Sequence, residues 1–148
     1  MSPDSTHLRP KVYASMELFL DMLHAVRNLV DIDFESIAIY LCVAEATMRP
    51  VLADAALVQK LGDTEVAPEE VRGSITMLLV SDRLGLPRET VRRKVKHLIA
   101  MDLLYEDEKG RVRSVPNFDN PKVPETVKGI HDAVRRYHER LAKHGVTD

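Results

Sequence analysis

One segment, residues 75–115, constrains the fold of this chain more than any other. Within it, Met77–Leu84 has the apolar spacing of a short helix, and Thr76 before it is a residue type that caps helix N-termini. Gly85 can adopt the left-handed conformation in which many helices end, and Pro87 fixes a backbone angle that suits the start of the next helix. This order predicts two helices joined by a tight turn.

The second of these helices is amphipathic and should span residues 88–101. Leu86 is placed to fill the space between the two helices, and one side of the second helix is apolar, with Val91, Val95, Leu98 and Ile99. The charged segment around Lys109-Gly110 fits a hairpin turn, and residues 111–115 alternate as in a half-buried strand. A helix-turn-helix followed by a two-stranded wing is therefore predicted.

Basic charge is concentrated on the second helix. The whole chain has a net charge of −2, which by itself argues against a nucleic-acid partner. Between Leu86 and His97, however, a single acid, Glu89, stands against five basic residues: Arg88, Arg92, Arg93, Lys94 and Lys96. Arginine can pair bidentately with guanine, a carboxylate can accept from cytosine, and local basic charge is typical of duplex DNA binding. We interpret this face as a DNA-reading surface; the alternative is a solvated basic face on an ordinary helix.

The start of this helix, Leu86-Pro87-Arg88-Glu89-Thr90-Val91-Arg92-Arg93, resembles the recognition-helix motif of the cyclic-AMP-receptor/Fnr family of bacterial winged-helix regulators. That motif reads Arg-Glu-Thr-Val-x-Arg after a Gly-x-x turn. The resemblance implies a transcription regulator whose base-reading residues are Arg88, Glu89 and Arg93 and whose phosphate contacts include Thr76 and Thr90. It covers only residues 75–115. The helical remainder is more similar to MarR- and GntR-type winged-helix proteins and lacks the family's nucleotide-binding domain, so no cyclic nucleotide is expected.

Other cations are better placed for the DNA backbone than for bases. Arg92, Lys94 and Lys96 are predicted to neutralise phosphates, which positions a protein without reading sequence. On the wing, Arg111 and Arg113 alternate on one face and are expected to reach the backbone or the minor groove, with a solvated face as the alternative. Acids in the same wing would repel phosphates: Glu106, Asp107 and Glu108. They favour a rival hypothesis, a winged-helix protein-interaction module that does not read DNA.

Apolar periodicity predicts helices on both sides of this segment, at 11–30, 34–48, 51–61 and 125–144. Asp33 is expected to cap the second of these, which should be the most buried, and Pro50 to interrupt the chain after it. A helical turn is expected at 68–70. The predicted fold is mainly α with a small β-hairpin wing. Its segments are a flexible tail (1–10), N-terminal helices for the core and dimerisation (11–67), a winged helix-turn-helix (68–116), and a loop with a C-terminal helix (117–148).

The first and last helices carry more apolar surface than one packing contact needs. Val127, Ile130, Val134, Tyr137 and Leu141 line one face of the last helix. We therefore expect a homodimer built on the 11–30 and 125–144 helices, with two recognition helices entering successive major grooves roughly 34 Å apart. Whether a small-molecule effector also binds is left open by the sequence.

Several classes of protein are disfavoured. Cys42 lies in an apolar run and predicts a buried structural thiol, and a single cysteine fits a reducing compartment. No signal peptide is visible, and we expect no apolar run to approach the ~20 residues of a membrane span, so a cytoplasmic protein is predicted. The six histidines show no metal-binding spacing, and no phosphate-binding loop, dinucleotide fingerprint or nucleophile elbow occurs. We therefore expect no enzyme, no metal and no cofactor.

Overall fold

The computed structural model describes residues 6–63 and 65–147. Within these residues it contains six α-helices, one 3₁₀ turn (Glu69–Val71) and an antiparallel hairpin of two strands. The helices are α1 (Leu8–Leu29), α2 (Phe34–Ala53), α3 (Ala55–Lys60), α4 (Met77–Leu84), α5 (Arg88–Ala100) and α6 (Lys122–Ala142), and the strands are β1 (Leu104–Glu106) and β2 (Val112–Ser114). The prediction of a mainly α fold with a small hairpin is confirmed.

The chain divides into two compact units. The terminal unit holds α1 and α6, that is, the residues up to Asp31 and those from Asn120 onward, and the central unit is Ile32–Asp119. These boundaries do not coincide with the predicted segments, which placed α1 beside α2 in one N-terminal part. Helix α1 packs on α6 from the opposite end of the chain, whereas α2 packs on α4, α5 and β2.

The core of the central unit is a contiguous cluster of aliphatic side chains. Helix α2 contributes Ile39 and Val43, which are fully buried against side chains from α4, α5 and the hairpin: Val80, Val91, Val95, Leu98, Leu104 and Val112. Leu86 packs against this cluster from the turn, as predicted. Burial of this apolar surface is the main force that fixes α5 in its place.

Helix α2 continues through Pro50, which corrects the predicted end at residue 48. A proline inside a helix has no N–H for the carbonyl four residues earlier, here that of Ala46. Next to it, the Thr47 carbonyl accepts the Gly73 N–H from outside the helix, at 2.8 Å. The helix extends to Ala53, and the predicted 51–61 helix is reduced to α3, which Asp54 caps by accepting from the Leu57 N–H at 3.1 Å.

By length and composition, α2 could cross a membrane. It has 20 residues, and its most apolar window has a mean hydropathy of 1.3. This corrects the expectation that no apolar run approaches such a length. Half of that window is buried inside the chain, and the core helix of a folded domain passes the same test.

Both terminal helices begin earlier than predicted. Helix α1 begins at Leu8 instead of 11, and α6 begins at Lys122 instead of 125, so that Pro10 and Pro124 lie in their first turns. Proline is tolerated there because the first N–H groups of a helix have no intrahelical acceptor. Residues 1–5 of the predicted tail lie outside the described part of the chain.

Small residues contribute to the α1–α6 contact. Ala14 and Ala25 of α1 and Ala133 of α6 are buried, and a Cβ added at Gly129 would lie 3.3 Å from the Ala25 Cβ. The predicted apolar face of α6 is therefore only partly correct. Leu141 is buried, but Val127 and Val134 are exposed, because the buried face turns toward Thr126 and Ala133.

Candidate nucleic-acid interface

The turn between α4 and α5 is held by one buried serine. Ser81 accepts the N–H groups of Gly85 and Leu86 at its carbonyl, at 2.9 and 3.2 Å, and its hydroxyl donates to the Leu86 carbonyl at 2.5 Å. Gly85 has φ 68°, the left-handed conformation that the sequence predicted. Sequence reasoning missed Ser81, although a serine inside an apolar helix shortly before a helix-ending glycine is a usable signal. These bonds fix the angle at which α5 leaves the turn.

Helix α5 presents a polar face opposite its buried row. Val91, Val95 and Leu98 have no exposed surface. Helical periodicity places another row on the far side, and these side chains are exposed: Glu89, Arg93 and Lys96. Arg88 and Arg92 are also exposed and flank this row, while Thr90 is half-buried. The structure thus brings most of the predicted DNA-contacting residues to one surface, at the first three turns of one helix.

Glu89 forms an ion pair with Arg92 on this surface. The Arg92 Nε lies 2.9 Å from Glu89 Oε2, and its Nη2 contacts the other carboxylate oxygen. The hydrogen bond from Arg92, together with the nearby charges of Lys96 and Arg93, lowers the pKa of Glu89 below its ordinary value. The carboxylate is therefore ionised at neutral pH. It pairs with the guanidinium group of Arg92, which would otherwise be available to an outside partner.

Lys94 does not belong to the exposed set. Its Nζ lies 3.0 Å from Asp33 Oδ1 and 3.6 Å from Glu35 Oε1, and its side chain is only 13% exposed. Asp33 also caps α2, as predicted, by accepting the Ser36 N–H at 2.8 Å. The Ser36 N–H and then Lys94 hold the pKa of Asp33 at about 2. Lys94 therefore joins α5 to the start of α2, which leaves it poorly suited to the predicted phosphate contact.

The two wing arginines are likewise engaged within the chain. Arg111 donates to the Ser74 hydroxyl at 2.8 Å and to the Ser74 carbonyl at 3.2 Å. Arg113 donates to the carbonyls of Glu69 and Arg72, at 2.8 and 3.1 Å, and pairs with Asp107. Contact with the DNA backbone or minor groove, the predicted role, would require these bonds to break. Both guanidinium groups are therefore engaged in stabilising the fold.

Asp107 organises the hairpin turn. Its Oδ1 accepts the N–H groups of Lys109 and Arg111, at 2.9 and 3.0 Å, and its Oδ2 lies 3.3 Å from the Arg113 Nε. Burial alone would raise the pKa of Asp107, but these hydrogen bonds outweigh it and the pKa lies below its ordinary value. Gly110 closes the predicted turn with φ 72°. An aspartate two residues before Lys109-Gly110 is an Asx-turn signal that sequence reasoning had treated only as negative charge.

The wing and the segment before α4 form one joined structure. Ile75 pairs with Val112 through hydrogen bonds of 3.0 and 2.8 Å, and Arg72 donates to the Ser114 carbonyl at 2.6 Å. An open groove between this segment and the wing is lined by five carboxylates (Glu69, Glu70, Glu106, Asp107 and Glu108) and by three cations (Lys109, Arg111 and Arg113). Its lining is acidic on balance, which disfavours phosphate and leaves the exposed cations of α5 as the more attractive surface.

Thr76 is used at the N-terminus of α4. Its Oγ1 accepts the Leu79 N–H at 3.2 Å, which confirms the predicted cap. A hydroxyl can still donate its own hydrogen while it accepts, so the predicted phosphate contact is compatible with capping. In the described part of the chain, no group of three or more His, Cys, Asp or Glu side chains is placed to hold a metal ion.

No protein-family model, curated protein or solved structure matches the chain. The assignment of a function therefore rests on the geometry of the helix-turn-helix and the charges that it presents.

Proposed function

We propose that the protein binds duplex DNA through α5, with α4 and the turn orienting this helix toward the major groove, and that it acts as a transcription regulator. The observation that carries the proposal is the polar face of α5. Arg88, Arg92, Arg93 and Lys96 are exposed there with a single acid, on a helix that the buried Val91–Val95–Leu98 row holds rigidly. A helix of this class directs its N-terminal turns at base edges.

The proposed contacts are fewer than the sequence suggested. Arg88, Glu89 and Arg93 remain as base-reading residues, and Arg92, Lys96, Thr90 and Thr76 as phosphate contacts. Lys94, Arg111 and Arg113 are left out because their cationic groups are bound to carboxylates, carbonyls or a hydroxyl of the chain. The Glu89 carboxylate has lone pairs left beside its contacts with Arg92 and can accept from cytosine N4, and opening of the Glu89–Arg92 pair would free Arg92 for a phosphate.

Fluorescence anisotropy with a random duplex, across a series of salt concentrations, tests the proposal. We expect a dissociation constant in the range of about 1–100 μM that rises log-linearly with salt, because each neutralised phosphate releases counterions. The Lys96→Ala variant should lower the magnitude of the salt slope by about one. Lys60→Ala, which removes an exposed lysine from α3, serves as the matched control and should leave the slope unchanged.

Base reading requires a second measurement, on a site selected from a random library. Arg88→Ala or Arg93→Ala should cost ~1–3 kcal/mol against the selected site and less against random DNA. If both variants keep the wild-type ratio of specific to random binding, the base-reading assignment is wrong even where the salt dependence holds.

A second candidate function is protein interaction without DNA reading. The groove beside the wing favours it, since its five carboxylates outnumber its three cations, and an acidic surface attracts a basic peptide and disfavours phosphate. Absence of binding to duplex DNA at low salt, with a folded protein, would support this function and reject the first.

A further inference from the structure

Helix α1 has an uncovered apolar face. Six large apolar side chains between Leu8 and Leu20 are 47–60% exposed: Leu8, Val12, Tyr13, Met16, Phe19 and Leu20. Val12, Met16 and Phe19, with the half-buried Leu23, follow one another at alternating spacings of four and three residues, which places them along one side of a helix. A contiguous row of this kind is typical of a surface that pairs with another helix.

The opposite side of α1 is already occupied by α6. Ala14 and Ala25 are buried there, and both carboxylates of α1 are drawn toward the same side. Asp21 lies 3.2 Å from Arg136 and 3.4 Å from Arg140, and Glu17 lies 3.5 Å from Arg140. Helical periodicity puts the Val12–Phe19 row about half a turn away from these residues. The exposed row is therefore both apolar and free of carboxylates.

The area of all six exposed side chains, which include most of the row, reaches the lower limit for a dimer. A large apolar or aromatic side chain offers roughly 150–250 Å², so six that are about half exposed leave on the order of 600 Å² uncovered. Two such faces together would bury about 1,200 Å², the lower end of the range for specific interfaces. The largest apolar patch on a typical monomeric protein covers about 300–600 Å² and is often functional, so this patch lies at the upper end of that range.

We infer that a second copy of this chain covers the outer face of α1, with the two α1 helices antiparallel across a two-fold axis between Glu17 and Leu18. In that register Met16 lies against Phe19 of the partner subunit, and Val12 lies against Leu23 of the partner subunit, so the row is complementary to itself. The inferred interface is built on α1; α6 packs on α1 of its own chain, and the expected contribution of α6 to a dimer stays a prediction. The inference does not depend on DNA binding.

Sedimentation equilibrium of the full chain and of surface variants tests the interface. The wild-type protein should be a dimer at micromolar concentrations. Phe19→Glu should weaken association by about a hundredfold or more, because a carboxylate would be buried without a partner. Asn28→Glu is the matched control, since Asn28 is exposed on another side of α1 and should leave the dimer intact. A monomeric wild-type protein, or a Phe19→Glu variant that dimerises as well as the control, would overturn the inference.

Disulfide cross-linking tests the orientation, since the native Cys42 is buried. In the antiparallel pair, Val12→Cys and Leu23→Cys variants should cross-link when mixed, while neither should cross-link with itself. The two copies of residue 12 would lie ~16 Å apart along the helices at 1.5 Å per residue, beyond the ~7 Å limit for a disulfide. Cross-linking of each variant with itself, and not in the mixture, would reject the antiparallel arrangement. Anisotropy with Phe19→Glu separates the two proposals, because a monomer with an intact α5 still shows salt-dependent binding.

Discussion

Replacing Gly73 by alanine is the most direct test of how the helix-turn-helix is joined to its core. A Cβ at this position would lie 2.2 Å from the Ala46 carbonyl oxygen and 2.9 Å from the Pro50 Cγ. The first contact is far inside van der Waals distance, and its partner is backbone. An oxygen held within α2 cannot rotate away as the end of a flexible side chain could, so the segment before α4 has to move outward.

The expected cost follows from two contributions. Overpacking of a well-filled site costs about 1–3 kcal/mol and occasionally more. The movement also lengthens the hydrogen bond from the Gly73 N–H to the Thr47 carbonyl, which is 2.8 Å long and contributes about 1 kcal/mol. We therefore expect Gly73→Ala to lower the free energy of unfolding by about 2–4 kcal/mol.

Urea denaturation followed by circular dichroism measures this loss. Gly62→Ala is the matched control, because a Cβ there meets only side-chain atoms of Glu65 at 3.8 Å, and it should change the free energy by less than about 0.5 kcal/mol. Adding Pro50→Ala to Gly73→Ala should not restore stability, since the contact with the Ala46 oxygen remains. Equal stability of Gly73→Ala and Gly62→Ala would refute the close approach between this segment and α2.

Three further predictions concern charge. Glu89→Gln should release Arg92, raise the affinity for random DNA and steepen its salt slope by about one, as measured by anisotropy. Lys94→Met should leave that slope at the wild-type value, in contrast to the loss of about one expected for Lys96→Ala, because Lys94 is bound to Asp33 and Glu35. The pKa of Asp33 is lowered from 3.8 to about 2, so its carboxylate stabilises the fold above pH 3.8, and this contribution is lost as the pH falls toward 2. In acid denaturation, the Asp33→Asn variant should therefore lose less stability than the wild type between these two pH values.

Features set by neighbouring residues could be predicted from the sequence. Thr76, Gly85 and Pro87 each act on the backbone within a few positions, so the limits of α4 and the start of α5 agree with the structure. The apolar row of α5 was also correct, since a helical period of 3.6 residues is enough to separate its two faces. Gly110 closed the hairpin for the same local reason.

Features set by distant partners could not be predicted. Pro50 predicts a helix end, but in the structure it lies inside α2, where Gly73 from another segment packs closely and donates to the Thr47 carbonyl. Periodicity shows that Arg111 and Arg113 share a face, but it does not show that Ser74, Glu69 and Arg72 supply acceptors on that side. The same limit applies to Lys94, which charge patterning cannot distinguish from Lys96. A pattern of cations in the sequence predicts that they share a face, but only the folded structure shows which anion or carbonyl each of them contacts.

The pairing of α1 with α6 has a consequence for how the protein is made. On the ribosome α1 emerges before α6, with the whole central unit between them. The central unit can reach its native packing while the nascent chain is still growing, because its contacts lie within its own sequence. Until α6 is synthesised, the side of α1 that packs on α6 stays uncovered, and a chain that stops before α6 would leave that side exposed.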